Sequence, residues 1–92
     1  MVWARTVWKF PLPGQGINHV SMPEGAEILH FNMQDEPTIW ALVDPQREIV
    51  SRKFQIVGTG HPLAEEENEA FIYVGTCFQG PFVWHLFKAS EF

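Results

Sequence analysis

The chain has 92 residues, of which 46% are hydrophobic, 14% aromatic and 18% charged, and its formal net charge is −5. This length suits one small domain, residues 1–92, and an acidic chain with six Lys and Arg residues lacks the phosphate-neutralising surface that duplex nucleic acid requires. One cysteine excludes an internal disulfide, and no stretch approaches the roughly 18 apolar residues of a membrane span. We therefore expect a cytoplasmic protein with no membrane or duplex nucleic-acid partner.

Apolar and polar residues alternate with a period of two from the N-terminal segment onward, which predicts β-strands. The strand in RTVWKFPL ends at Pro11 and Pro13, and INHVSM is a short second strand. EILHFNMQ predicts a third strand with Leu29, Phe31 and Met33 on one face. TIWALVD is apolar on both faces, which is typical of a strand at the centre of its sheet.

The second half of the chain continues this pattern. After a turn at Pro45, IVSRKFQIVG places Val50, Arg52, Phe54 and Ile56 on one face. The acidic segment AEEENEA is too short for more than a turn or two of helix, and FIYVGTCF and FVWHLF, joined by QGP, predict a closing hairpin. Six or seven short, mostly antiparallel strands with tight turns predict an all-β domain, either a small barrel or a sandwich.

The segment GTGHP, residues 58–62, ends one of these strands with an unusual group of residues. Glycine permits a tight turn and lets a ligand approach the main chain closely, and Thr59 and His61 would present polar groups beside it. Pro62 removes one backbone N–H and no phosphate-loop pattern follows, so the segment is not a nucleotide fingerprint. It is consistent with either a shaped turn or a ligand-facing loop formed by Thr59, Gly60 and His61.

The pattern Phe-x-x-Val-Gly-Thr occurs twice, at residues 54–59 and 71–76. A strand that bends at a glycine can produce the same short pattern twice for geometric reasons. The segment is too short to define a repeat. It therefore reflects either a coincidence of strand chemistry or two paired, similarly bent strands.

Tryptophan, histidine and arginine supply further candidate ligand contacts. Trp40 and Trp84 each lie in the middle of a strand, where an indole is either part of the core or a platform for a planar ligand. Since strand neighbours point to opposite faces, only one of Trp84 and His85 can line a given pocket. A small anionic ligand would need a cation, for which Arg52, Lys53 and Arg47 are candidates.

Catalytic and metal-binding patterns are weak in this sequence. The four histidines and one cysteine lack the spacings of local zinc-ligand pairs, and neither G-x-S-x-G nor H-E-x-x-H occurs. Cys77 would act as a nucleophile only if the fold brought a histidine to it, and a buried thiol is the commoner outcome in a strand. The acidic run of residues 65–69 is typical of a solvated loop. We therefore expect no catalytic residue, no metal and no cofactor.

The segments KFPL, MPEGAEIL, IWALVD, FQIVGTGHP and VGTCFQGPFVWHLF occur in this order between Lys9 and Phe87. With this set the chain resembles a family of short, functionally uncharacterised proteins of bacteriophages and prophages, marked by GTGHP and VWHxF motifs. The resemblance implies a phage origin, a location in the host cytoplasm and no assigned enzyme activity.

Three hypotheses about function follow from these observations. The first is a non-enzymatic, homo-oligomeric binding protein that counters host defence by sequestering a small anionic, nucleotide-like ligand. The second is an inhibitor or adaptor that binds a host defence protein through exposed aromatic residues or the acidic loop. The third is a small hydrolase that uses Cys77 and a histidine. For the first hypothesis the expected ligand contacts are Thr59, Gly60, His61, Trp40, Trp84, His85 and Arg52.

Overall fold

A computed structural model describes residues 4–90, and between these residues the regular structure consists of seven β-strands without a helix. The strands are β1 (Thr6–Pro11), β2 (Gly16–Pro23), β3 (Glu27–Gln34), β4 (Glu36–Val43), β5 (Ile49–Gly58), β6 (Phe71–Gln79) and β7 (Phe82–Ala89). One sheet has the order β1-β4-β3 and the other the order β2-β5-β7-β6, and every pairing is antiparallel. The prediction of an all-β domain is confirmed, with the strands divided between two sheets.

The core lies where side chains of both sheets meet, and the sheets contact each other mainly through β3 and β6. Phe31 of β3, Phe54 of β5 and Leu86 of β7 are among its buried residues. Leu12 joins them from the connection between β1 and β2, and its backbone N–H donates to the Pro37 carbonyl oxygen at 2.8 Å. The connection between the two sheets is therefore itself part of the core.

Strand β4 occupies the centre of the three-stranded sheet, as its apolar sequence predicts. Ile39, Ala41 and Val43 are buried on its inner face. Trp40 points to the other face, where the centroid of its ring lies 5.7 Å from that of the His30 imidazole. On the outer face of the sheet, β4 is therefore also apolar, because Trp40 packs there against His30.

Strand β3 departs from strict alternation near its start. Its register with β4 shifts between Ile28 and His30, so that Ile28 packs against the core whereas Leu29 is 50% exposed. The prediction that Leu29 shares the inner face with Phe31 and Met33 is therefore wrong. A bulge adds one residue to the strand and reverses the facing of the side chains that precede it.

The connection of residues 59–70 joins β5 to β6, which lie on either side of β7. It is fastened to β5 by the buried side chain of Gln55, whose amide donates to the Ala64 carbonyl oxygen and accepts from the Ala64 N–H, each at 2.9 Å. Lys53 Nζ lies 2.7 Å from a carboxylate oxygen of Glu69. The end of the acidic run is thus tied to the sheet, while Glu66 and Glu67 are exposed.

Candidate functional site

The GTGHP segment forms a tight turn at the end of β5. The His61 N–H donates to the Gly58 carbonyl oxygen at 3.0 Å, and Gly60 has a φ of 87°, an arrangement typical of a type II turn. The Thr59 N–H donates to the Val83 carbonyl oxygen at 3.2 Å, which attaches the turn to β7. The segment is therefore a shaped turn, and its side chains reach both faces of the four-stranded sheet.

Gly58 is the residue at which the side chains of His61 and Trp84 closely approach the main chain. It pairs with Trp84 across the β5–β7 ladder. A Cβ atom added to Gly58 would lie 3.2 Å from Cζ3 of Trp84 and 2.9 Å from Nδ1 of His61. The His61 imidazole and the Trp84 indole thus meet over a residue that has no side chain, and glycine is what makes this approach possible.

A cleft of about 580 Å³ opens at this point, within the size range of small-molecule sites. The rings of Phe82 and Trp84 stack beside it with centroids 6.0 Å apart and planes inclined by 24°. Trp84 Nε1 already donates to Gln79 Oε1 at 3.0 Å, so the indole offers the cleft its ring rather than its N–H. The residues that line the cleft are Gln15, Gly58, Thr59, His61, Pro81, Phe82, Val83 and Trp84.

The opposite face of the same sheet carries a chain of hydrogen bonds between four polar side chains. Thr59 Oγ1 lies 2.8 Å from His85 Nε2, and Thr76 Oγ1 lies 2.9 Å from His85 Nδ1. The Tyr73 hydroxyl continues the chain at 2.6 Å from Thr76 Oγ1. His85 and Trp84 point to opposite faces, as alternation predicts, and His85 holds the GTGHP turn from the face away from the cleft.

These hydrogen bonds give the repeated Phe-x-x-Val-Gly-Thr pattern a geometric basis. The first segment runs from the end of β5 to Thr59, and the second lies in β6. These two strands pair with opposite edges of β7, so the alternative of two strands paired with each other is wrong. Their threonines, Thr59 and Thr76, contact the two different ring nitrogens of His85. Each copy of the pattern therefore supplies one hydroxyl to the same imidazole.

Replacing His85 with phenylalanine is expected to lower the free energy of unfolding by about 1–3 kcal/mol. A ring remains at this position, but its hydrogen bonds to Thr59 and Thr76 are lost. Urea unfolding followed by tryptophan fluorescence measures this change. His19 is exposed, and His19→Phe should alter the free energy by less than about 0.5 kcal/mol. Equal effects of the two substitutions would contradict a supporting role for His85.

Two of the predicted ligand contacts, Arg52 and Trp40, lie away from the cleft. Arg52 is 9% exposed, its Nη1 donates to the Ala26 carbonyl oxygen at 2.8 Å, and its guanidinium lies over the Phe54 ring at 5.6 Å from the centroid. Trp40 belongs to the other sheet. Of the seven predicted contacts the structure brings Thr59, His61 and Trp84 to the cleft, with Gly60 in the same turn and His85 behind it.

Among the lining residues that sequence reasoning did not name as ligand contacts, Gln15 adds a polar side chain to the cleft and Phe82 adds an aromatic ring. Phe82 precedes Trp84 by two positions in β7, so period-two alternation places both rings on one face and provided the signal that would have found it. Gln15 lies between two glycines, Gly14 and Gly16, in the break after β1. No local pattern indicates that this break reaches the end of β5.

Cys77 is buried in β6 and pairs with Trp84, whereas His85 points to the other face. Trp84 of β7 lies between Cys77 of β6 and Gly58 of β5. The His61 imidazole lies over Gly58, so Trp84 also separates it from the thiol. Burial raises the pKa of the Cys77 thiol, which keeps it protonated at neutral pH. The geometry gives no support to a hydrolase built on Cys77 and a histidine.

Cys77 in the folded protein is expected to react with iodoacetamide at least about tenfold more slowly than in protein unfolded by urea, because the thiolate is disfavoured and shielded. Mass spectrometry of time points taken at about pH 8 measures both rates. Glutathione labelled in the same urea concentrations controls for the effect of urea on the reagent. Labelling of the folded protein at the unfolded rate would show an accessible, reactive thiol.

Among residues 4–90, no group of three His, Cys, Asp or Glu side chains is arranged to hold a metal ion. The described part of the chain also contains no helix with the length and hydrophobicity needed to cross a bilayer.

Fold and cleft together define a small all-β protein with two antiparallel sheets and a ligand-sized cleft at the end of the four-stranded sheet. The sequence matches the model of a domain of unknown function, DUF7352, over residues 3–92, and the chain therefore belongs to this family. This agrees with the predicted membership of an uncharacterised family. No curated protein and no solved structure matches the chain.

Proposed function

We propose that this protein is a non-enzymatic binding protein that holds a small, ring-containing ligand in the cleft beside the GTGHP turn. The observation that carries the proposal is the meeting of His61 and Trp84 over Gly58. This close approach depends on glycine, because the Cβ of an alanine at this strand position would lie only 2.9 Å from His61 Nδ1. A cleft that combines an aromatic surface with a few polar groups is typical of small-molecule sites.

The chemistry of the lining supports binding more than turnover. Phe82 and Trp84 provide stacked rings, and Phe82 is 58% exposed, so its surface is open to a planar ligand. His61 and Gln15 add an imidazole and an amide, which both donate and accept hydrogen bonds. A ligand that stacks on the rings could therefore be oriented by these two polar side chains.

The wider proposal is a phage-encoded, homo-oligomeric protein that acts in the host cytoplasm by sequestering a nucleotide-like defence signal. Its support is the resemblance carried by the GTGHP and VWHxF motifs. The cleft adds to this support, because sequestering a ligand requires binding and no catalytic residues. Oligomer formation is supported by the edge strand β1, where Val7 and Trp8 are 51% and 38% exposed.

The proposal is tested by releasing small molecules from purified protein with heat, identifying them by mass spectrometry, and screening nucleobase-containing compounds by thermal shift. A compound that binds only the folded protein at 100 times its Kd stabilises it by about 2.7 kcal/mol, which raises Tm by several degrees. Protein that contains no ligand and shows no shift with any compound would contradict the proposal.

Two variants connect such binding to the cleft. His61→Ala should abolish the thermal shift and leave Tm of the free protein nearly unchanged, because His61 is exposed. Gly58→Ala should also block the cleft, since its Cβ would displace His61 and press on Trp84. Gly58 has no positive φ, so alanine can adopt its backbone conformation. His19→Ala is the matched control, and wild-type binding by both cleft variants would place the ligand elsewhere.

A second candidate function, an inhibitor or adaptor of a host protein, is supported by Phe78. This side chain is 70% exposed and lies on the face opposite the cleft, next to the β6–β7 turn. Phe78→Ser should then remove binding of the partner and keep binding of a cleft ligand, while His61→Ala should do the reverse. Glu66→Gln and Glu67→Gln test the acidic loop without breaking the contact between Lys53 and Glu69. Partner binding that survives all of these changes would contradict this function.

A further inference from the structure

None of the cationic side chains of this protein lines the cleft. The chain has six Lys and Arg residues, and all of them lie within the described residues. Three are in ion pairs elsewhere: Arg5 with Glu27, Arg47 with Glu24, and Lys53 with Glu69.

The other three cationic side chains also lie outside the cleft. Arg52 is buried and bonded to the Ala26 carbonyl oxygen. Lys9 pairs with Trp40 in the three-stranded sheet, and Lys88 lines a separate groove between β3 and β6. A phosphate in the cleft would therefore have no Lys or Arg partner.

Backbone donors of the turn do not replace the missing cations. A phosphate nest needs successive N–H groups that point at the anion. Here the Thr59 N–H donates to Val83, the His61 N–H donates to Gly58, and Pro62 has no N–H. Apart from the His61 imidazole, no side chain that lines the cleft can carry a positive charge, and the net charge of the whole chain is −5 with its histidines neutral.

From these features we infer that the cleft binds an uncharged planar heterocycle of nucleobase size and disfavours its phosphorylated forms. This inference rests on the proposed function and replaces its nucleotide-like ligand with a base or nucleoside. The Phe82 and Trp84 rings supply the stacking surface. The Gln15 amide and the His61 imidazole suit the edge of a heterocycle, which alternates donors and acceptors.

The test is a calorimetric titration of wild-type protein with matched series of base, nucleoside, 5′-monophosphate and 5′-triphosphate for each common nucleobase. At about pH 8, the base or nucleoside of one series should bind most tightly. Each added phosphate should weaken binding by roughly threefold or more at 0.01 M salt. This penalty should shrink at 0.1 M, as the Debye length falls from about 30 Å to about 10 Å.

A variant with a new cation sharpens the test. Gln15→Lys should invert the order within the binding series, so that the monophosphate binds at least about tenfold more tightly than the nucleoside. Gln46→Lys adds the same charge at an exposed position of another turn and should leave the wild-type order unchanged.

The outcomes separate this inference from the proposed function. A phosphorylated form that binds wild-type protein most tightly, and loses binding in His61→Ala, overturns the inference and leaves the proposed function in place. Binding of any form that is unaffected by both His61→Ala and Gly58→Ala overturns the proposed function. Absence of binding by every member of the series overturns the inference, and the ligand-release experiment then decides the proposed function separately.

Discussion

Phe54→Ala is expected to lower the free energy of unfolding by about 3–5 kcal/mol. Phe54 lies in β5, between β2 and β7, and is fully buried. Its ring also lies beneath the buried guanidinium of Arg52. The truncation would therefore leave a cavity at the centre of the larger sheet and remove the aromatic surface that faces a buried cation.

Equilibrium unfolding in urea, followed by tryptophan fluorescence, measures this loss of stability. Phe78→Ala removes the same atoms from a side chain that is 70% exposed, and should change the free energy by less than about 0.5 kcal/mol. The dependence of the free energy on urea concentration should be similar in both variants if the native fold is kept. Equal destabilisation by the two substitutions would contradict the position of Phe54 in the core.

Leu12→Ala is expected to lower the free energy of unfolding by about 2–5 kcal/mol, although Leu12 lies outside the strands. Its side chain is fully buried, and its N–H is bonded to the Pro37 carbonyl oxygen. It belongs to the connection between β1 and β2, which are in different sheets. Loss of the side chain would weaken the contact of this connection with the core.

Urea unfolding of Leu12→Ala and Leu29→Ala tests this expectation. Leu29 is 50% exposed at the β3 bulge, so its truncation should cost less than about 1 kcal/mol. If the two leucines proved equivalent, the Leu12 connection would not be an integral part of the core.

Much of the fold could be predicted from the sequence because alternation and turn residues are local signals. They indicated the strands, the central position of β4 and the opposite directions of Trp84 and His85. Alternation failed at Ile28 and Leu29 because a bulge inserts one residue without a glycine or proline to mark it. The division into two sheets depends on which strands pair, and that is decided by contacts distant in sequence.

The site was predictable in part for the same reason. Thr59 and His61 lie in one turn, so their proximity is local, whereas the placing of Trp40 in the other sheet depends on strand order. Arg52 shared its predicted face with Phe54, an apolar position that already indicated burial. Its charge favoured a ligand contact, and its position in the alternation favoured the core.

The hydrogen-bond chain from Tyr73 to Thr59 has a fixed number of protons. While His85 is neutral, the three hydroxyls and the imidazole carry four exchangeable protons, and three of them form the internal bonds. One proton is left over, and the His85 tautomer determines its place. With the proton on Nε2 it belongs to Thr59, and with the proton on Nδ1 it belongs to Thr76 or Tyr73, because the Thr76 oxygen can accept from both of its neighbours. Thr59 and Tyr73, at the two ends of the hydrogen-bond chain, therefore cannot both donate to their surroundings, so that outward donation by one hydroxyl excludes outward donation by the other.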